Sequence, residues 1–227
     1  MSNIPKADDQ VDQWRSVMFL YDSALKKVNT KIEILNNEFV NRYDYNPIEH
    51  IKSRLKTADS IVKKLKKDGH EVTIENMLEY LSDIAGIRII CSFTSDIYQI
   101  ADMISKQADV TVLHVKDYIK YPKPNGYKSY HMVVTVPVYL SDGPVETKVE
   151  IQIRSVAMDF WASLEHKIAY KFEGNAPENL LNELKACADI VDMLDAKMFS
   201  LNQAITAIAE EQRRLEAQGR QTEEETV

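Results

Sequence analysis

A chain of 227 residues, 44% of them hydrophobic, is long enough for one domain with a substantial core. Its net charge of −7 at pH 7 argues against general affinity for DNA or RNA, so no stable nucleic-acid partner is expected and any phosphate-binding surface has to be local. No apolar run reaches membrane-spanning length, and the opening "MSNIPKADDQ" has no cationic stretch followed by an apolar one, which leaves a cytoplasmic protein with no membrane partner.

Apolar residues at helical spacing, from Trp14 through Leu20, Val28 and Leu35, predict a first helix over 11–38. "YDYNPIEH" interrupts it. A second helix is expected from about Pro47, through "IEHIKSRLKTADSIVKKLKK", to a stop at Gly69. On that helix Lys56, Ser60 and Lys64 fall at i, i+4 and i+8 and form one stripe, with Arg54 just before them. Lysines and Arg54 crowd the stretch 52–67 with one acid, Asp59, among them. That is a focused positive field suited to a polyanion, although a solvated helix face has the same composition. "TIENMLEYLSDI" predicts a short helix, and Asp83 sits where it meets the strand "GIRIICSF", a position favoured for phosphate chemistry in α/β folds. "SDIYQIADMISKQA" reads as a helix capped by Ser95.

"VTVLHVKDYI", "YHMVVTVPVYL" and "TKVEIQIRS" follow as strands rich in β-branched residues. The chain is helical again from Ser155, breaks around "EGNAPEN", and ends in a long helix from about Pro177. The polar tail "GRQTEEETV", 219–227, is expected to be disordered. Cys91 and Cys187 lie among apolar neighbours and read as reduced core residues. The fold class is α/β in the broad sense (α+β): a single domain over 1–218, with a mixed β-sheet flanked by helices.

Alternation gives the sheet two faces. In "KVEIQIR" the apolar set Val149, Ile151 and Ile153 faces one way, and Glu150, Gln152 and Arg154 face the other. Tyr127, Ser129 and His131 alternate in the same way at the foot of the loop "YPKPNGY". A wet sheet face is the ordinary fate of such residues, but this set has the composition of a site floor. Asp83 and Glu150 are hard oxygen ligands, and two of these with a triphosphate suffice for Mg²⁺.

Three stretches, "DIAGIRIICSF", "VKDYIKYPKPNGYKSYH" and "VEIQIRSVAMDFWASLEHKIAYK", resemble the synthetase domain of the RelA/SpoT superfamily, and above all its single-domain small alarmone synthetases; "NPIEHIKSRLK" and "AMDFWASLEHK" resemble the RelP-type branch. The resemblance spans about residues 15–205 in collinear order. It implies a nucleotidyltransferase-like fold with long terminal helices. It also implies transfer of the β,γ-pyrophosphate of ATP to the 3′-hydroxyl of GTP or GDP, giving (p)ppGpp and AMP. By position, Arg54 and Arg88 would stack on adenine, while Lys56, Ser60 and Lys64 would hold the ATP phosphates. Asp83 and Glu150 would bind Mg²⁺, and Glu150 could take the proton of the attacking hydroxyl. Lys116, Lys123 and His131 would contact acceptor phosphates, and Tyr127 would stack on guanine in a loop turned by Asn125 and Gly126. Gln152 would support the metal or a ribose, and Asp159 with the backbone of Ala157 would read the guanine edge, unless Asp159 only serves the first turn of its helix.

No His-Asp dipeptide of the hydrolase type occurs, so synthesis without hydrolysis is expected. The runner-up keeps the fold and changes the acceptor, to an adenosine nucleotide or the 3′ end of tRNA, as in toxin-type relatives. The last helix carries Leu184, Cys187, Val191, Leu194, Met198, Leu201, Ile205 and Ile208 in steps of three and four. With the family's habit, that seam implies a homo-oligomer, most simply a homotetramer.

Overall fold

In the computed structural model, which describes residues 10–43, 45–171 and 177–224, the first helix α1 (Gln10–Tyr43) buries Val17, Leu20, Tyr21, Ala24, Val28, Ile32, Leu35 and Phe39 along one stripe. The chain then forms the edge strand β1 (Ile48–Leu55), the short helices α2 (Ala58–Lys67) and α3 (Ile74–Tyr80), and strand β2 (Ala85–Cys91). Helix α4 (Thr94–Ser105), strands β3 (Thr111–Asp117), β4 (Tyr130–Leu140) and β5 (Gly143–Ser155), and helices α5 (Val156–Lys171) and α6 (Glu178–Glu224) complete it. The sheet order is β1-β2-β5-β4-β3, antiparallel except for the parallel pair β2–β5. A single mixed sheet flanked by helices matches the expected class.

Period two decides which way the sheet faces. Ile87 pairs with Ile151, Ile89 with Ile153, Met132 with Ile151 and Val134 with Val149, and all are at most 1% exposed. They join α1, Ile61 and Leu65 of α2, Met77 of α3 and Ile97, Ile100 and Ile104 of α4 in one cluster. Each fully buried side chain of this size contributes about 2 kcal/mol of transfer free energy. The alternate residues of the same strands form the polar face.

Four expectations change. The helix expected from Pro47 to Gly69 is a strand followed by a helix. Ile48, Ile51 and Leu55 satisfy helical spacing as well as an edge strand, and pairing with β2 decides between them. Its charged residues are what an unpaired sheet edge favours. The helix starts only after Thr57, whose Oγ1 accepts from the Ser60 amide. Helix α4 is not capped by Ser95. Phe93 precedes it, and the buried Asp96 carboxylate accepts from the Phe93 amide at 3.0 Å and the Tyr45 hydroxyl at 2.8 Å. Cys91 is buried and free, but Cys187 is also free and lies exposed on α6, outside the core. Helix α6 continues to Glu224, through most of the segment read as a disordered tail. The break at "EGNAPEN" falls mostly on 172–176, outside the described residues.

The α6 seam divides. Leu184, Ala188, Val191, Asp195 and Phe199 turn toward the chain's own domain, where the Trp161 indole donates to the Leu184 carbonyl at 2.9 Å. Leu194, Met198, Leu201, Ile205 and Ile208 of the same seam stay exposed. No described helix is long and apolar enough to cross a membrane.

Helix α1 is also latched to the sheet by charge. Lys27 and Lys31 reach the Asp109 carboxylate at 2.9 and 2.6 Å, and Lys27 donates to the Pro137 carbonyl at 2.8 Å. These two lysine hydrogen bonds hold the Asp109 pKa down at about 2, against 3.8. A lowered carboxylate pKa stabilises the fold above its unfolded value and loses that contribution as the pH falls through the folded one. Asp109→Asn should therefore cost about 1 kcal/mol near neutrality, after discounting for solvent screening. Denaturant titrations of the two proteins should converge as the pH approaches about 2. A constant difference between them would assign the cost to something other than charge.

Candidate active site

One row of side chains crosses the polar face of the sheet. Strand register sets Lys52 of β1, Arg88 of β2, Gln152 of β5, His131 of β4 and Lys116 of β3 next to one another. The adjacent row is Arg54, Gly86, Glu150 and Val133. Above them opens a cleft of about 220 Å³ lined by Lys52, Ser53, Arg54, Asp83, Gly86, Arg88, Glu150 and Gln152. A larger groove of about 300 Å³ beside α1 is lined chiefly by Trp14, Ile61, Leu65, Val72, Ile74 and Met77 and brings no charges together. The smaller cleft is the chemical one.

Its first wall is electrostatic. Asp83, between α3 and β2, takes Lys56 Nζ at 2.5 Å and Lys64 Nζ at 2.8 Å. Lys56 sits in the β1–α2 turn and Lys64 on α2, so the two lysines of the expected stripe meet although one helix does not carry both. Ser60, in the first turn of α2, accepts from the Thr57 hydroxyl at 2.9 Å. Burial pushes the Asp83 pKa up, but the hydrogen bonds and charges of the two lysines outweigh it, and the carboxyl stays below its ordinary value. Arg88 is half-buried, and burial, then the charge of Arg154, lowers its pKa. Its Nε is buried without a hydrogen-bond partner. An orphaned guanidinium nitrogen beside an open cleft suits a ligand-binding wall.

Beyond Glu150 and Gln152 the floor continues into an aromatic set outside the cleft's own lining. The Tyr127 hydroxyl lies 2.9 Å from His131 Nε2 and receives Arg154 Nη2 at 2.6 Å. His131 Nδ1 faces Glu150 Oε1 at 3.5 Å, and Gln152 Nε2 donates to Glu150 Oε2 at 3.1 Å. Burial raises the Glu150 pKa, the His131 and Gln152 contacts lower it, and the net shift is downward. Glu150 is thus a charged carboxylate with both oxygens held. Asn125 and Gly126 make the expected turn: Gly126 has φ +88°, and the side-chain Oδ1 of Asn125 accepts from the Tyr127 amide at 3.2 Å. The Asn125 amide reaches Glu165 of α5 at 3.2 Å, bracing the loop rather than facing the cleft.

Other expected residues find protein partners. Lys123 Nζ stands 4.9 Å from the Tyr118 ring centre and 4.8 Å from that of Tyr127. Lys128 pairs with Asp192 of α6 at 2.5 Å. Lys116 is exposed on β3 beside His131. Ala157 lies against the loop–α6 contact, with Gly126, Trp161 and Ala188. Asp159 Oδ1 accepts from Arg154 at 3.0 Å and Arg88 at 3.3 Å, while Ser155 caps α5 by accepting from the Met158 amide. Asp159 is therefore the shared counter-ion of two arginines, and any contact with a base edge has to be made from within that pair.

One residue of the expected site floor had no role assigned to it, and one residue of the site was not expected at all. Arg154, 4% exposed, holds Tyr127, Gln152, Asp159 and Ser129 together. Alternation put it on the polar face but gave no hint of burial. Tyr118 packs edge-on against Tyr127 and His131, at 6.0 and 5.2 Å, and no spacing rule links it to them.

The model of the region found in RelA and SpoT proteins matches residues 53–175. GTP pyrophosphokinase YwaC of Bacillus subtilis is 46% identical over 86% of this chain and 93% of its own. GTP pyrophosphokinase YjbM of the same organism is 35% identical over 82% and 87%. Among solved structures, small alarmone synthetase 2 of Bacillus subtilis superposes with a TM-score of 0.76 at 44% identity, covering 84% of this chain and 99% of that one. Small alarmone synthetase 1 of that organism, bound to its product pppGpp, gives 0.77 at 34% identity, covering 85% and 97%.

Proposed function

This chain belongs to the RelA/SpoT family, and from that premise we propose that it is a GTP pyrophosphokinase, moving the β,γ-pyrophosphate of ATP to the 3′-hydroxyl of GTP or GDP. The observation that carries the reading is the continuous polar floor, where the Asp83–Lys56–Lys64 cluster and the Tyr127–His131–Glu150 set flank one cleft. Lys56 and Lys64 exchange Asp83 for the phosphates of the donor, and Arg54 and Arg88 flank its adenine. Tyr127 offers its ring to the acceptor base, and Lys116 and Lys123 supply positive charge on that side.

Glu150 accepts the proton of the 3′-hydroxyl as that oxygen bonds to the β-phosphorus. The bond from β-phosphorus to the α,β-bridging oxygen breaks, and AMP leaves with the electron pair. Such a transfer needs alignment and charge neutralisation more than covalent help.

Asp83 and Glu150 fit Mg²⁺. They line one cleft, close enough for the charge of Asp83 to act on Glu150, and a hard cation completes its shell with water and phosphate oxygens. Among the described residues no group of three or more His, Cys, Asp or Glu forms a cage, so the two carboxylates would hold the ion together with the phosphates. When bound, the ion would neutralise charge on the transferring phosphates.

Incubating the protein with ATP labelled at the β-phosphate, and GDP, GTP, ATP or tRNA in turn, tests the acceptor. Label transferred to the guanine nucleotides supports the reading, and label transferred only to the 3′ position of ATP or to tRNA overturns it. The stretches "NPIEHIKSRLK" and "AMDFWASLEHK" support the RelP-type branch within the family. The reading places the enzyme in the cytoplasm, with its nucleotides.

The exposed apolar positions of α6, with Phe19 and Ile34 of α1, favour a homotetramer. Light scattering at micromolar concentration should give four times the 26.1 kDa chain mass, and a monomeric mass would refute the assembly.

A further inference from the structure

The side chains around Glu150 close into a ring. Arg154 Nη2 donates both to the Tyr127 hydroxyl, at 2.6 Å, and to Gln152 Oε1, at 3.2 Å. A guanidinium has no acceptor, so Arg154 is the donor in both contacts, which favours one direction for the hydrogen bonds beyond them. The Tyr127 oxygen accepts from Arg154, which leaves its proton to His131 Nε2, 2.9 Å away. An accepting Nε2 makes His131 the Nδ1–H tautomer, and that N–H faces Glu150 Oε1 at 3.5 Å. The other arm follows the same logic: Gln152, with its Oε1 turned to Arg154, presents Nε2 to Glu150 Oε2 at 3.1 Å. Both arms start at one buried cation and end on the two oxygens of one carboxylate.

We propose that Arg154 is a positioning residue for pyrophosphoryl transfer. Through Tyr127–His131 on one arm and Gln152 on the other, it fixes the orientation of Glu150 and ties it to the acceptor-binding ring of Tyr127. Its own place is set by Asp159 and by Ser129 Oγ, at 3.0 and 3.3 Å, so the guanidinium cannot follow its partners. Seating a purine on Tyr127 then acts on the same ring that aims Glu150. A lysine has no planar fork and cannot serve Tyr127, Gln152 and Asp159 together. The inference rests on the pyrophosphokinase reading, and its tests separate the two.

Imidazole nitrogen chemical shifts of the full-length protein, without nucleotide or metal, should show His131 as the Nδ1–H tautomer. An Nε2–H tautomer would break the chain and overturn the proposal whether or not the protein turns over. Tyr127→Phe keeps the ring and removes the hydroxyl. It should lower kcat about tenfold or more, while KM for the guanine nucleotide stays within about twofold. Arg154→Lys, which cuts both arms, should lower kcat further, about as far as Tyr127→Phe combined with Gln152→Leu, with donor affinity retained. Should Arg154→Lys fail to fold, Tyr127→Phe and the tautomer decide. Wild-type protein that makes no 3′-pyrophosphorylated nucleotide contradicts the pyrophosphokinase reading. Active wild type with an unimpaired Tyr127→Phe variant contradicts the role of Arg154.

Discussion

Glu150→Ala and Asp83→Ala should each abolish turnover, lowering the rate by about a thousandfold or more. The two losses have different origins. Glu150 is held between His131 and Gln152 on the cleft floor, so on the proposed mechanism its removal takes away the proton acceptor and a metal ligand together. Asp83 is the counter-ion of Lys56 and Lys64, at 2.5 and 2.8 Å, so its removal also leaves two lysines facing each other. Asp83→Ala should accordingly bind the donor triphosphate at least as well as wild type while failing to turn it over. Initial rates across a magnesium titration, with circular dichroism to establish that each variant is folded, check both statements. Turnover that survives either substitution with unaltered magnesium dependence removes that residue from the site.

Gly126→Ala should damage acceptor use alone. Gly126 has φ +88°, where a side chain is strained, and a Cβ built there would stand 2.6 Å from Ala188 Cβ on α6. The Ala188 methyl has no flexible end to swing aside. The loop carrying Lys123, Asn125 and Tyr127 must therefore lift off α6. We expect kcat/KM for the guanine nucleotide to fall about tenfold or more, with donor affinity unchanged. Ala188→Gly removes the opposing methyl, and in combination with Gly126→Ala should restore part of the loss. The backbone strain keeps the rescue incomplete. A fully active Gly126→Ala enzyme would show that the loop does not need its seat on α6.

The sequence was most legible where period two governs. "KVEIQIR" and "YHMVV" announced an apolar and a polar face, and the structure keeps both, because a one-residue slip would bury Glu150 and Gln152 in place of Ile151 and Ile153. Lys56 and Lys64 were legible as one stripe and Asp83 as a candidate, but their pairing was not, and the long helix proposed for the two lysines is a strand and a shorter helix. Ile48, Ile51 and Leu55 carry no information that distinguishes a strand from a helix. That choice belongs to the hydrogen bonds β1 makes with β2, more than thirty residues on. Arg154 was unreadable for a related reason. Its burial depends on Tyr127 and Ser129 arriving from the loop before β4 and Asp159 from a helix. The α6 seam looked uniform as a heptad and is not, because Leu184 and Val191 are used up against the chain's own domain while Leu201 and Ile205 are left outside.

The central claim is the transfer of an intact pyrophosphate, and phosphorus NMR of a stoichiometric reaction tests it most directly. With equal amounts of ATP and GDP, the account predicts AMP and a guanosine nucleotide bearing a 3′-diphosphate, formed one for one. Accumulation of ADP with a singly phosphorylated acceptor, or of free pyrophosphate with the GDP unchanged, would contradict it.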